Sequence, residues 1–251
     1  MAQGGQRLSA DGSPRRTLLI IGGAEDKLGR SVVLKRFVRL AGGRQSRIVI
    51  IPTASSFVDE VVETYSRVFT RLRAGADIRV VHAASRAAAH DPELVGHLED
   101  ATAVFMSGGS QLTAGLGLLE DVIVDQHFDQ RGRYGRLMSL VANSPNLLGI
   151  GIDENTAVEI RDDRIMTIVG TGGVFVIDAR NAVTDAPDAR RGAPLLVSGA
   201  VVHSLPTGAT FDLRSVTLTR FVERHPDIEV AVASAKDRAA PTLAPARRAG
   251  T

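Results

Sequence analysis

The sequence predicts an α/β protein with a mostly parallel sheet, helices on both faces, and antiparallel strands towards the C-terminal end. Two observations favour this fold class. Short, unbroken apolar runs alternate with amphipathic segments as far as residue 106, which is typical of parallel strands covered by helices. After residue 145 the apolar runs follow one another closely and are separated by turn residues, which is typical of antiparallel strands.

The first part of the chain is predicted to alternate strands and helices. The apolar strands are expected at residues 18–21, 48–51, 78–81 and 103–106, and the helices at 32–40, 58–72 and 92–98. The first helix closes at a Gly-Gly pair, which favours a helix C-terminus. Glycine or proline also follows the first, second and fourth strands, where each strand is expected to stop.

The second part of the chain is predicted to be antiparallel. A meander is expected from the runs at 147–152, 157–160, 165–169 and 174–177, and a final hairpin from 200–204 and 209–213. Residues 1–15 and 235–251 have the composition of disordered tails. We therefore expect one domain, over residues 16–222.

The composition excludes several functional classes. A chain of 251 residues that is 44% hydrophobic and 23% charged is typical of a globular protein, and a net charge of +2 does not favour nucleic-acid binding. The absence of cysteine excludes disulfides, zinc–thiolate sites and a cysteine nucleophile. No apolar run approaches the length of a transmembrane helix, and the first 16 residues lack a secretory apolar segment. We expect a cytoplasmic protein.

The connection between the strand at 103–106 and the apolar run at 122–124 is short. It contains about fifteen residues, SGGSQLTAGLGLLED, whereas a parallel crossover needs about a dozen or more, usually including a helix. Gly115 and Gly117 make a helix in this connection unfavourable. The connection is therefore too short for the predicted fold, which indicates an interruption at this junction.

The segment 125–136, DQHFDQRGRYGR, combines a histidine with a cluster of arginines. His127 follows the apolar run, and Arg131, Arg133 and Arg136 lie at the start of a predicted helix. Basic residues in a first helical turn oppose the helix dipole, so their position indicates binding of an acidic ligand, with a solvated basic face as the alternative. Asp125 is a candidate partner for a cationic substrate group.

Five segments resemble the cyanophycinase family, which consists of serine-type exopeptidases of the α/β class. They are IGGAEDK (21–27), RIVIIPTAS (47–55), FMSGGSQLT (105–113), DQHFDQRGRYGRL (125–137) and LLGIGIDENTA (147–157). The resemblance covers roughly residues 17–215. It implies a fold like that of class I glutamine amidotransferases and flavodoxin. It also implies a homodimer that hydrolyses cyanophycin, a poly-aspartate with arginine on each β-carboxyl, to β-aspartyl-arginine dipeptides.

The resemblance also assigns site residues. Family members use a Ser–His–Glu triad, so it implies His127 as the base and Glu154 as the acid that orients it, although Asp153 is an adjacent alternative. It implies no metal and no cofactor. Neither Gly-Gly pair has the sequence of a phosphate-binding loop, and we interpret Glu25-Asp26 as a capping or salt-bridge pair. The implied substrate contacts are Gln111, Asp125, Gln126, Arg131, Arg133 and Arg136.

The sequence departs from the family at the nucleophile. In the family the serine lies in an elbow that reads like GTSAGA, between the GG-x-Q motif and DQHF. Here Thr113 is followed almost directly by Gly115, so a piece about the size of one βαβ unit is missing. Ser107 and Ser110 flank a Gly-Gly pair and are interpreted as turn residues, because neither opens a helix from a strained elbow.

Three interpretations remain open. The chain is a cyanophycinase-type hydrolase with impaired or no activity; or it is a non-catalytic binding protein for acidic or β-aspartyl peptides; or the sequence comes from a deleted or incorrectly assembled gene.

Overall fold

The computed structural model describes residues 16–85, 88–108, 118–190 and 192–221. These residues belong to one compact unit that ends at Phe221. The predicted tails at 1–15 and 235–251, and the residues Ser110 and Gln111, lie outside the described ranges.

The chain begins with strands and helices in alternation: β1 (Thr17–Ile21), α1 (Val32–Leu40), β2 (Arg47–Ile51), α2 (Val58–Arg71), β3 (Asp77–Val80), α3 (Pro92–Glu99), β4 (Ala103–Met106), β5 (Val122–Gln126) and α4 (Tyr134–Asn143). Strands follow: β6 (Leu148–Ile152), β7 (Thr156–Arg161), β8 (Ile165–Gly170), β9 (Gly173–Asp178), β10 (Val183–Thr184), β11 (Val197–Ser198), β12 (Val201–Pro206), β13 (Thr210–Asp212) and β14 (Thr217–Arg220). None of the helices in the described ranges has the length and hydrophobicity that a membrane span requires.

The strands form parallel and antiparallel sheets, which confirms the predicted mixed α/β class. A three-stranded parallel sheet has the order β3-β2-β4, and a four-stranded sheet has the order β12-β9-β6-β5, in which β5 and β6 are parallel. A five-stranded antiparallel sheet has the order β1-β7-β8-β13-β14. The strand β1 therefore pairs with β7 and not with β2, and the antiparallel part is larger than the sequence indicated.

Three predicted strand pairings are wrong. The runs that form β6 and β7 are neighbours in sequence but lie in different sheets, because the turn at 153–155 contains Asn155 in the left-handed region (φ 50°) and redirects the chain. The next two strands of the expected meander, β8 and β9, also lie in different sheets: β8 pairs with β7 and β13, and β9 pairs with β6 and β12. The expected final hairpin does not form either: β12 pairs with β9, and β13 pairs with β8 and β14. Between them the N–H of Gly208 donates to the carbonyl of Ile168, which directs the chain onto β8.

An aromatic cluster holds α1 and α2 on the parallel sheet. Phe37 of α1, Phe69 of α2 and Phe105 of β4 are buried, with ring centroids 5.2–5.3 Å apart. Aromatic side chains bury large apolar areas and favour such edge-to-face contacts. This packing fixes α1, and with it the loop that leaves the end of β1.

Candidate active site

The candidate site lies where β5 and β6 end side by side. These strands are parallel, and Gln126 pairs in register with Ile152. His127 and Asp153 are therefore the first residues beyond each strand, at the edge where α/β sheets usually bind ligands. His127 has a left-handed backbone (φ 52°), and its N–H donates to the carbonyl of Gly22, 2.8 Å away.

His127 and Glu154 form a direct pair. The Nδ1 atom of His127 is 2.6 Å from Oε1 of Glu154, and the two side chains are 25% and 35% exposed. The backbone N–H of Glu154 donates to Oε1 of Gln130 at 2.9 Å, which fixes the turn that carries the carboxylate. A carboxylate at Nδ1 orients the ring and leaves Nε2 as the nitrogen that can accept a proton.

Asp153, the alternative acid, accepts hydrogen bonds from backbone N–H groups instead. Its Oδ1 accepts a hydrogen bond from the N–H of Asp129 (3.2 Å), and its Oδ2 accepts one from the N–H of Gly173 (2.8 Å). Asp153 thus connects the segment after β5 to the start of β9. The acid beside the histidine is Glu154.

Gly22 and Gly23 form the floor under the histidine ring. The N–H of Gly22 donates to the carbonyl of Thr156, and the carbonyl of Gly23 accepts from the N–H of Asn155, at 2.8 and 2.9 Å. A Cβ atom on Gly23 (φ 94°) would lie 2.4 Å from Cε1 and 2.5 Å from Nε2 of His127. The ring rests against a backbone that has no room for a side chain.

Phe128 anchors the histidine segment in the core. Its ring stacks on Phe175 and meets the edge of Tyr134, with centroids 5.5 and 4.6 Å apart. A Cβ atom on Gly151 would lie 2.4 Å from the Phe128 ring, so β6 needs a glycine there. The glycine in GIDE and the phenylalanine in DQHF therefore fit each other.

Asp125 is neutralised by two of the predicted arginines. Its Oδ1 is 2.6 Å from Nη1 of Arg133, and its Oδ2 is 3.5 Å from Nε of Arg136. Arg133 also donates to the carbonyl of Gln126 at 2.9 Å and is only 11% exposed. Asp125 is buried, so in this conformation it pairs within the chain rather than facing a substrate arginine.

The other residues predicted to contact the substrate differ in whether their side chains are already engaged within the chain. The Gln126 amide donates to the carbonyl of Ile21 at 2.6 Å and ties β5 to β1. Arg136 is about half exposed. Arg131 is exposed, and within the described residues its side chain has no recorded partner. Gln111 lies outside the described residues. Arg131 and Arg136 are therefore the guanidinium groups most available to a ligand.

Two positioning residues were missed in the sequence, Gln130 and Asn155. Gln130 holds the backbone of Glu154, as described above. Asn155 accepts a hydrogen bond on Oδ1 from the N–H of Asp26, 3.0 Å away. Asparagine tolerates the left-handed backbone better than most residues, so an Asn directly after the Asp-Glu pair was a usable indication of a tight turn.

Asp26 organises the loop between β1 and α1. Its carboxylate accepts hydrogen bonds from the backbone N–H groups of Leu28, Gly29 and Ser31 at 2.7–3.0 Å. These bonds, the one from Ser31 above all, lower the pKa of Asp26 to about 2. Asp26 therefore holds the backbone of the loop that precedes α1.

Glu25 is the buried member of the same loop. Its Oε1 is 2.9 Å from Nζ of Lys27 and accepts a hydrogen bond from the Tyr65 hydroxyl. Burial, and then the neighbouring Glu25 carboxylate, raise the pKa of Tyr65 above its ordinary value. Within the described ranges no group of three or more histidine or acidic side chains is arranged to hold a metal ion.

A nucleophile is not found beside the histidine among the residues that the structure describes. The His127 ring pairs with the Glu154 side chain, and no serine or threonine hydroxyl of the described residues hydrogen-bonds to the ring. Ser107 follows β4 and is buried, and its N–H donates to the carbonyl of Ile51. Its Oγ has no hydrogen-bond partner within the ranges that the structure describes. Ser110 lies outside the described ranges.

The fold and the histidine–carboxylate pair define a peptidase-like α/β protein. The chain belongs to peptidase family S51, whose model matches residues 18–113 and 110–168. The match is thus made in two pieces that meet at residues 110–113, between β4 and β5.

The chain is also similar to individual proteins that are consistent with this family. A cyanophycinase from Geminocystis herdmanii is 28% identical, over 80% of this chain and 95% of its own length. A cyanophycinase from Nostoc sp. is 29% identical, over 84% of this chain and 90% of its own length. The crystal structure of a peptidase from an acI-B1 Actinobacterium has the same fold, with a TM-score of 0.54 and 18% identity, over 78% of this chain and 96% of that one.

The alignments with the relatives contain many positions that have no counterpart in this chain. The Geminocystis alignment has 259 positions but uses only 80% of the 251 residues, about 201, so about 58 positions lie opposite gaps. The Nostoc alignment has 269 positions and uses 84%, about 211 residues, which again leaves about 58.

Proposed function

We propose that this chain is a cyanophycinase-type protein that keeps the base and the substrate-binding part of a serine peptidase site, binds β-aspartyl peptides such as cyanophycin, and hydrolyses them with impaired or no activity. The observation that carries the proposal is the 2.6 Å pair between His127 and Glu154, without a hydroxyl beside it in the described residues. A partly exposed pair contributes little to stability, so inheritance from a catalytic site accounts for its geometry better than a structural function does.

Two further observations support impaired hydrolysis. The total of about 58 alignment positions opposite gaps and the break in the family match fit the loss of one segment between β4 and β5. In the described structure β4 is an edge strand, and its Val104 and Met106 are 42% and 38% exposed, as expected if a covering element were absent. Loss of the serine from a peptidase triad costs about a millionfold in rate.

The arginines support the binding part of the proposal. Cyanophycin carries a free carboxylate on each arginine, and a guanidinium group can bind a carboxylate through two parallel hydrogen bonds. Arg131 is exposed and available for this contact, whereas Arg133 is occupied by Asp125. We infer that Arg131 contacts a substrate carboxylate, with Arg136 beside it.

The test has a hydrolysis arm and a binding arm. We expect purified protein to release no β-aspartyl-arginine from cyanophycin by chromatography, under conditions in which a cyanophycinase relative releases it readily. In calorimetry, β-aspartyl-arginine should bind, and Arg131→Ala should weaken binding by about tenfold, whereas the exposed control Arg44→Ala should not. Turnover that disappears in His127→Ala would refute the inactivity, and no binding at millimolar ligand would refute the binding function.

A graft tests whether the histidine pair is still competent. The segment of a relative that lies between its GG-x-Q and DQHF motifs would replace residues 112–124, which lie between the same two motifs of this chain. We expect the graft to release β-aspartyl-arginine and its His127→Ala variant to release none. If a folded graft is inactive, the pair is not a working base.

Sequencing of the locus distinguishes the remaining alternative, a deleted or incorrectly assembled gene. A nucleophile elbow in the new sequence would refute the proposal as it applies to this chain. From the resemblance we also propose a single domain over residues 16–222 and a cytoplasmic homodimer, which light scattering and cell fractionation would test.

A further inference from the structure

A basic groove lies between α1 and β8. It has a volume of about 540 Å³. Its sides are formed mainly by Arg30, Lys35, Arg36 and Arg39, and Thr167 and Val169 of β8 form its floor. The volume is within the range of small-molecule sites in proteins.

The cations of α1 form one stripe along the helix. Val32, Lys35, Arg36 and Arg39 are spaced at i, i+3, i+4 and i+7, so they share a face, and the remainder of the helix packs into the core. The helix has no acidic residue. Like charges four residues apart, such as Lys35 and Arg39, destabilise a helix. Helix stability therefore does not explain this arrangement.

Most of the positive charge in the groove is uncompensated. Arg36 is held by Glu159, at 2.5 and 2.9 Å, and Glu159 is also bonded to Arg161 on its other side. In contrast, Arg30, Lys35 and Arg39 have no ion-pair or hydrogen-bond partner for their side chains in the part of the chain that the structure describes. Three free cations therefore surround one cavity, beside a fourth that is fixed in position.

We propose that this groove binds a small phosphorylated anion with two or three negative charges, such as a diphosphate group. Arginine forks and a lysine are the side chains that bind phosphate oxygens best. The site does not depend on the proposed peptidase function.

Calorimetry with inorganic pyrophosphate at low ionic strength tests the proposal. The double variant Lys35→Ala/Arg39→Ala removes two of the free cations from exposed positions of the helix, where alanine favours folding. The matched control, Arg44→Ala/Arg67→Ala, removes the same charge from exposed positions that do not line the groove. Circular dichroism confirms that both variants fold.

We expect saturable binding to the unaltered protein that weakens with added salt. The groove variant should bind at least about tenfold more weakly, because each removed cation takes charged hydrogen bonds with it, and the control should bind as before. Absence of binding at millimolar pyrophosphate, or equal loss in both variants, would overturn the proposal. Citrate serves as a carboxylate anion of similar charge, and tighter binding of citrate than of pyrophosphate would overturn the assignment to phosphate.

Discussion

Replacement of Gly23 by alanine should separate the histidine ring from its carboxylate. The new Cβ would lie 2.4 Å from Cε1 and 2.5 Å from Nε2 of His127, far inside van der Waals contact. The substitution has two costs. A non-glycine residue in the left-handed region costs about 1–2 kcal/mol, and overpacking of a filled space costs about 1–3 kcal/mol. We expect the ring to relieve the clash by turning away from Glu154.

A second glycine provides a matched control for this prediction. Gly199 has a similar φ (82° against 94°), but a Cβ there would meet nothing within 4 Å. Gly199→Ala should therefore carry only the backbone cost, and Gly23→Ala should lower the free energy of unfolding by about 1–3 kcal/mol more. Urea denaturation measures this difference, and NMR of the imidazole protons reports the position of the ring. Equal costs for the two variants, with unchanged His127 resonances, would refute the contact between the ring and Gly23.

Two further predictions concern carboxylates outside the histidine pair. Glu159→Gln should lower the free energy of unfolding by about 3 kcal/mol at neutral pH, because it leaves Arg36 and Arg161 without their buried counter-charge. Burial favours a higher pKa for Glu159, but the hydrogen bonds from the two arginines outweigh it and lower the pKa. The stability that ionised Glu159 contributes should therefore be present at neutral pH and disappear as the pH falls through its folded-state pKa. Urea denaturation should accordingly give the unaltered protein and Glu159→Gln converging stabilities in acid. Carbon-detected NMR titration should find the Asp26 carboxyl ionised down to about pH 2, and an ordinary titration near pH 4 would contradict the hydrogen bonds from the loop.

The sequence predicted the elements better than it predicted their partners. The helix at 32–40 and the strand at 103–106 have the predicted bounds, because local spacing of apolar residues determines them. Strand pairing depends on contacts between distant residues. The antiparallel pairing of β1 with β7 joins residues about 140 positions apart, and no local pattern in either strand indicates it.

For the site too, the sequence predicted which residues belong to it better than it predicted their contacts. The resemblance pointed to His127 and Glu154, and the structure places their side chains in contact. The same motif suggested that Asp125 faces a substrate cation, but a buried carboxylate needs a charged partner, and Arg133 and Arg136 are within reach eight and eleven residues further on. A linear sequence shows which residues are charged, but not which of them are buried.

The contacts that hold His127 and Glu154 in place explain how the base of the site could keep its position without a nucleophile. The hydrogen bonds that position His127 come from the end of β1, through Gly22, and from Glu154 after β6. The turn that carries Glu154 is itself held by hydrogen bonds to Gln130 and Gly23. Among the described residues, none of these contacts comes from β4 or from residues 107, 108 and 118–121 of the junction that follows it. A segment lost between β4 and β5 would therefore remove the attacking group, while the scaffold that orients the base would remain intact.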